Sequence, residues 1–145
     1  MFILDTDHFS LHVFGHAEIA RRIVQFRPTE VAISVVTVEE VWNGWYSALS
    51  QAKKVVRVEI QAYAGLFQTV QAIQKLEVIP FLPDAIQRCH ELRKQHRRLG
   101  KMDLKIAAIA LEFGATLVTR NRVDFEQIPG LQIEDWSEPL IGEHP

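Results

Sequence analysis

The chain alternates short apolar runs with longer segments of helical period. Phe2-Ile3-Leu4 is continuously apolar and ends at Asp5-Thr6-Asp7, the pattern of a short buried strand followed by a loop. Ile19, Ile23 and Phe26 predict a helix from Ala17 to Phe26, stopped by Pro28. Val31-Ala32-Ile33-Ser34 predicts a second buried strand, and Thr37 opens a helix through about Leu49. Val55, Val58, Ala62, Leu66, Val70 and Ile73 predict a helix over Val55 to Leu76, with Gly65 its weak point. Val78-Ile79-Pro80 predicts a third strand. Asp84 is a candidate N-cap for a helix running to Leu99, with Gly100 as its stop. Leu104, Ala107, Ala108 and Leu111 share one helical face, while Ile106, Ile109 and Ala110 make the other apolar too, so this helix is expected to be buried on most sides. Gly114 ends it, Thr116-Leu117-Val118-Thr119 is a fourth strand, Pro129-Gly130 is a turn, and Leu131-Gln132-Ile133 is a short edge strand.

Strands that are apolar throughout, alternating with helices, predict an α/β fold: a short parallel sheet of four to five strands with helices on both faces. Length and composition agree. The 145 residues, 48% apolar, are expected to form one domain over 1–145. A chain of this size buries roughly two-thirds of its unfolded surface. No repeat, linker or low-complexity segment interrupts it. The lone Cys89 excludes an internal disulfide and a cysteine-based zinc cluster, and suits the cytoplasm. No apolar run approaches the roughly 18–20 residues that span a bilayer. The start, Met1-Phe2-Ile3-Leu4-Asp5, lacks the basic region of a secretory leader.

Charge changes the picture only when located. Sixteen Lys and Arg nearly cancel 18 Asp and Glu, for a formal net charge of -2, which argues against a broadly basic nucleic-acid binder. Yet Arg88, Arg93, Lys94, Arg97, Arg98 and Lys101 crowd into one stretch with only Glu91 opposing. That stretch is either a solvated helix face or an edge that contacts phosphate. Asp124, Glu126, Glu134, Asp135, Glu138 and Glu143 make the tail acidic, and no Lys or Arg follows Arg122; a solvated surface is the expectation there.

In an open parallel sheet, ligands bind beyond the carboxyl ends of the strands. Asp5 follows the first strand, Glu39 and Glu40 follow the second, and Asn121 and Asp124 follow the fourth. Asp103 opens the buried helix, and Gly100 and Met102 beside it suggest a tight approach. Each acid has a purely structural alternative. Asp5 can cap a helix, Thr37 and Glu40 fit a capping box, Asp103 can favour a helix dipole, and Asp124 can be a loop residue. Together they place several acids at one sheet edge, where their repulsion calls for a cation. Oxygen-only ligands favour Mg²⁺ or Mn²⁺ over zinc. His8, His12 and His16 share a helical spacing, but Gly15 interrupts it, and exposed or half-buried side chains are expected rather than a zinc site. His90 and His96 lie in the basic stretch, where phosphate contact is a minor alternative. Cys89, Trp42, Trp45 and Phe67 are expected to pack, the aromatics in preference to stacking on bases. Neither phosphate-binding glycine motif nor a Gly-x-Ser-x-Gly elbow occurs, which removes P-loop enzymes, dinucleotide enzymes and common serine hydrolases.

Four blocks in order carry a resemblance. They are Phe2-Ile3-Leu4-Asp5-Thr6-Asp7-His8, Ile33-Ser34-Val35-Val36-Thr37-Val38-Glu39-Glu40-Val41, and Gly100-Lys101-Met102-Asp103-Leu104-Lys105-Ile106-Ala107-Ala108. The fourth is Thr116-Leu117-Val118-Thr119-Arg120-Asn121-Arg122-Val123-Asp124-Phe125, continuing through Ile128-Pro129-Gly130-Leu131 to Asp135-Trp136. With these blocks, spread over essentially its whole length, the chain resembles PIN-domain ribonucleases of the VapC kind, the toxins of bacterial type II toxin–antitoxin pairs.

The resemblance implies a Mg²⁺-dependent endoribonuclease, with Mn²⁺ as an alternative, that cuts RNA by attack of a metal-activated water on a phosphodiester. It implies Asp5, Glu40 and Asp103 as metal ligands, with Glu39 the weaker candidate for the second place. Relatives often carry a fourth acid two residues after the last strand's Thr; Asn121 stands there, with Asp124 as possible compensation. Asp5, Glu40, Asp103, Asn121 and Asp124 are thus the implied catalytic set. Asp7 stands where many relatives have Asn. Thr6 and Thr119 would hydrogen-bond carboxylates, and Arg93, Lys94, Arg97 and Arg98 would hold RNA backbone. The implied partners are an RNA substrate, tRNA among the candidates, a VapB-type antitoxin and a second copy in a homodimer. Two rivals stand beside this reading. One is a catalytically silent PIN scaffold that binds RNA or protein, favoured by Asn121. The other is a haloacid-dehalogenase-like phosphatase using Asp5, opposed by Phe9, which stands where that family has Thr or Val.

Overall fold

The computed structural model describes residues 1–142. Glu143, named above with the acidic tail, lies outside them. The elements follow as β1 (Phe2–Leu4), α1 (Thr6–Val13), α2 (Ala17–Ile23), a single 3₁₀ turn (Pro28–Glu30), β2 (Val31–Ser34), α3 (Val35–Ala52) and α4 (Val56–Ile73). Then come β3 (Glu77–Ile79), α5 (Pro83–Gln95), α6 (Lys101–Glu112), β4 (Thr116–Val118), α7 (Arg122–Phe125) and β5 (Gln132–Glu134). All five strands are parallel, in the order β3-β2-β1-β4-β5. In register, Leu4 lies opposite Ile33 on one side and Val118 on the other.

The continuous apolar runs have a direct cause. Successive side chains on a strand point to opposite faces, and here both faces are covered. Ile3, Ala32 and Leu117 join one core with Leu104, Ala107 and Ala108 of α6 and Leu92 of α5. Leu4, Ile33 and Val118 join the other core with Phe9 of α1, Ile19 of α2 and Trp136. Trp136 is wholly buried, its indole stacked on Phe26 at 5.4 Å and tilted against Phe2. Truncating one of the large side chains among them, such as Leu4, Phe9, Leu104 or Leu117, to Ala would cost about 2–5 kcal/mol. The middle of helix α6 is apolar on most sides because Leu104 and Ile106 through Ala110 are enclosed. Among the described residues no helix is long and apolar enough to cross a membrane.

Several boundaries differ from expectation, each for a local reason. No loop follows β1: Asp5 caps α1 directly. Helix α2 stops at Ile23, short of Phe26. Helix α3 starts at Val35, because the Ser34 hydroxyl accepts the Thr37 N–H at 3.1 Å, so Thr37 is not the cap and no Thr37–Glu40 capping box forms. Helix α5 is led by Pro83 with Leu82 at the cap position, and Asp84 sits in its first turn. It ends at Gln95, and Gly100 is the cap position of α6 rather than the stop of α5. Gly65 is a packing site: a Cβ there would run into the Trp45 indole. Trp45 Nε1 donates to Thr69 Oγ1 at 2.9 Å, and Thr69 Oγ1 donates to the Gly65 carbonyl at 2.8 Å, which locks α3 to α4. Trp45 therefore packs as expected, and Cys89 packs half-buried against the α5–α6 core. Trp42 and Phe67 do not; they are 49% and 63% exposed.

Candidate functional site

The sheet's carboxyl edge collects the acids because the helices begin where the strands end. Asp5 directly follows β1 and is only 7% exposed. Its Oδ1 accepts the His8 N–H at 2.7 Å, so the capping role is real, and Oδ2 is left over. Glu40 lies in the second turn of α3. Thr6 Oγ1 donates to Glu40 Oε1 at 2.7 Å, and lies 3.2 Å from Thr37 Oγ1, whose proton then points back to Thr6. Asp103 sits in the first turn of α6. The approach at Gly100 is ordinary rather than tight, since a Cβ there would lie 3.5 Å from Asp103 Oδ2.

Asp5, Glu40, Asp103 and Asn121 line one cavity of about 610 Å³, together with Thr6, Asp7, Ser10 and Arg120. Asp124 does not line it. It accepts a bond from Asn121 Nδ2 at 2.9 Å, and its charge still reaches Asp103. Glu39 is exposed and outside the cavity. Thr119 Oγ1 accepts the Asn121 N–H at 2.9 Å, so it shapes the loop after β4 rather than contacting a carboxylate. The Asp103 carboxyl is pushed up to about 6, first by burial and then by the charges of Glu40, Asp5 and Asp124.

Two contacts were not visible in the sequence. Arg120 Nε donates to Asp7 Oδ2 at 2.7 Å across 113 residues of chain, bringing a cation to the rim. His8 is wholly buried rather than partly exposed, and its Nε2 accepts the Trp136 N–H at 3.2 Å. His12 is held below its ordinary value by burial and by Lys75.

The donor set suits a hard divalent cation: carboxylate, amide and hydroxyl oxygens, drawn together against repulsion. Among the described residues no three His, Cys, Asp or Glu side chains close on a single point tightly enough to grip a bare ion. A cation held by one or two carboxylates, with water filling its other positions, fits this arrangement.

The basic stretch is not one surface. Arg88 pairs with Glu112. Arg93 joins Lys101 and Lys105 around a cavity of about 280 Å³ floored by Phe81, Ile86 and Cys89, with His90 at its side. Burial pushes the Cys89 thiol up, against the pull of Arg93 and Lys105. Lys94, Arg97 and Arg98 turn away with His96 towards Gln127. In the tail, Glu134 accepts the Trp136 indole N–H and Asp135 accepts two bonds from Ser137, so these acids are structural rather than merely solvated.

Comparison with known proteins bears on the family and the fold. A family model described as the PIN domain matches residues 2–131. The tRNA(fMet)-specific endonuclease VapC of Salmonella typhimurium is 29% identical over 139 residues, covering 93% of this chain and 97% of that protein. Ribonuclease VapC2 of Rickettsia felis is 31% identical over 112 residues, covering 74% of this chain and 75% of that protein. Among solved structures, VapBC2 of Rickettsia felis, bound to a DNA fragment from its promoter, superposes with a TM-score of 0.74 at 27% identity, covering 93% of this chain and 98% of that one.

Proposed function

The chain belongs to the PIN-domain family, and from that premise we propose that it is a metal-dependent endoribonuclease toxin of the VapC kind. The observation that carries the reading is the meeting of Asp5, Glu40 and Asp103 in one cavity at the carboxyl edge of the sheet. Three acids from three separate elements would not be gathered there to stabilise the empty fold, because the charges of Glu40 and Asp5 add to burial in raising the cost of ionising Asp103.

The family implies a divalent metal, and Mg²⁺ is the ion proposed, with Asp5 and Asp103 as its principal holders and Glu40 completing the set. A divalent cation supplies charge neutralisation at the phosphate and lowers the pKa of water. The side chains do the positioning. Thr6 fixes Glu40 Oε1, so the carboxylate is poised to orient the attacking water. Water adds to phosphorus as the bond to the 3′ oxygen breaks, leaving a 5′-phosphate and a 3′-hydroxyl. Asn121 and Asp124 support the cavity as a bonded pair, the amide holding the second carboxylate in place. Arg93, Lys101 and Lys105 on α5 and α6, and Lys94, Arg97 and Arg98 at and after the end of α5, are the proposed contacts for RNA backbone. RNA, tRNA among the candidates, is the proposed substrate, a VapB-type antitoxin and a second copy in a homodimer are the proposed partners, and 1–145 is proposed as a single domain.

The experiment is sequencing of RNA ends made by the pure protein with Mg²⁺. Discrete 5′-phosphorylated ends are expected, lost with EDTA and lost in Asp5→Ala. Cleavage that survives EDTA overturns the metal-dependent reading. Asn121 favours the silent-scaffold alternative, which predicts RNA binding without new ends. The phosphatase alternative fares worse, because Asp7 pairs with Arg120 at the rim and Phe9 is buried in the core.

A further inference from the structure

The reaction proposed above makes no use of His8, although this side chain is wholly buried against its first carboxylate. The His8 backbone N–H donates to Asp5 Oδ1 at 2.7 Å, and the ring Nδ1 lies 3.4 Å from the same oxygen. On the far side of the ring, Nε2 accepts the backbone N–H of Trp136 at 3.2 Å. Only an unprotonated ring nitrogen accepts an N–H, so Nε2 carries the lone pair and the proton sits on Nδ1. Asp135 Oδ1 is 3.3 Å from Nε2, but it already accepts the Ser137 N–H and hydroxyl. Nδ1 makes no well-formed hydrogen bond, and a buried N–H without one is costly. The Asp5 carboxylate is the charge that offsets this.

The other end of the contact is rigid. Trp136 is wholly buried, its indole N–H bonds Glu134 at 2.7 Å, and its ring packs against both Phe2 and Phe26, which also touch each other. A backbone donor 128 residues away thus fixes the tautomer and plane of a ring that faces Asp5.

We propose that His8 is a positioning residue: held in one tautomer by the Trp136 backbone, its imidazole braces Asp5 Oδ1 and leaves Oδ2 as the oxygen presented to the cavity. The proposal rests on the reading of Asp5 as a cation ligand. Partners of this kind, which orient a ligand from behind, change metal affinity by about 10–100-fold.

Three measurements test it on the full chain. Nitrogen-15 NMR of the histidine rings is expected to show His8 protonated at Nδ1 alone; protonation at Nε2 overturns the proposal. In a Mn²⁺ titration followed by water-proton relaxation, His8→Leu is expected to bind about tenfold more weakly. His8→Asn places an amide N–H near the Nδ1 position and should recover most of that loss, whereas His8→Gln, which reaches the Nε2 position, should not. With RNA, His8→Leu should lower kcat and leave KM unchanged. Equal Mn²⁺ affinity in wild type and His8→Leu overturns the proposal, as does a loss in all three variants that simply follows their melting temperatures. A wild type that binds no Mn²⁺ overturns this proposal and the ribonuclease reading together. A wild type that binds Mn²⁺ but cuts no RNA overturns only the latter.

Discussion

Helix α6 serves two cavities of opposite character. Asp103 faces the acid-lined cavity, while Lys101 and Lys105, two positions before and after it, face the cation-rimmed one. Two positions on a helix are about 200° apart, so the alternation Lys-x-Asp-x-Lys puts opposite charges on opposite sides of one rod. The acid side is polar and crowded with like charge. The cation side has an apolar floor of Phe81, Ile86 and Cys89. The net charge of -2 over the whole chain therefore conceals two separated fields of opposite sign, and their positions carry the functional meaning.

The largest effect should come from disarming the acid side. Asp103→Asn removes a charge from the cluster and is expected to lower RNA cleavage about a thousandfold. The same change should stabilise the ion-free protein. The folded Asp103 carboxyl titrates at about 6, above its ordinary 3.8, so the folded state binds more protons than the unfolded one between those values. Stability from this group is fully present below pH of about 4 and is lost as pH rises to about 6. Calorimetry without divalent ions, from pH 4 to 7, should show this decline in wild type and a flatter profile in Asp103→Asn. A variant that melts far below wild type at every pH would show instead that Asp103 holds the helix end.

How much of this contrast could be read from the sequence depends on how local its causes are. The strands were legible because enclosure on both faces makes Phe2-Ile3-Leu4 and Thr116-Leu117-Val118 apolar without alternation. Asp5, Glu40 and Asp103 were legible because each follows a recognisable strand end or helix start. Caps were harder. Ser34 and Thr37 are both competent hydroxyls, and pairing of Ser34 with Ile79 in the sheet decides which one ends the strand. Gly100 fits a helix stop as well as a start, and the chain needs the turn through His96 to Leu99 to change direction. The basic stretch does not form one face, because it spans α5, a turn and the start of α6. The bonds Arg120–Asp7 and Trp136–His8 join opposite ends of the chain, and no local pattern announces them.

A second, smaller effect tests the cation side. Replacing Arg93, Lys101 and Lys105 together by Ala should lower kcat/KM for RNA about tenfold at low salt, through KM. The deficit should shrink as salt rises, because screening weakens the contacts that wild type has and the variant lacks. Melting temperature should change little, since these side chains surround an open cavity. A loss confined to kcat and indifferent to salt would break the division of labour across α6.

The smallest effect concerns Arg120, the one cation among the described residues that lines the acid side. It is held by Asp7, and both side chains are 51% exposed. An exposed pair of this kind contributes about 0–1 kcal/mol, so Asp7→Asn should leave the melting temperature nearly unchanged. The change removes one acid from the rim and releases the guanidinium, which always keeps its charge. A freed Arg120 at the mouth of the cavity meets an approaching phosphate before the carboxylates do. KM for RNA should therefore fall a few-fold at low salt, with kcat unchanged, and Arg120→Gln in the same background should reverse the gain. An Asp7→Asn variant with a raised KM would show that Asp7 itself helps hold the cation, and that the acid side extends to the rim.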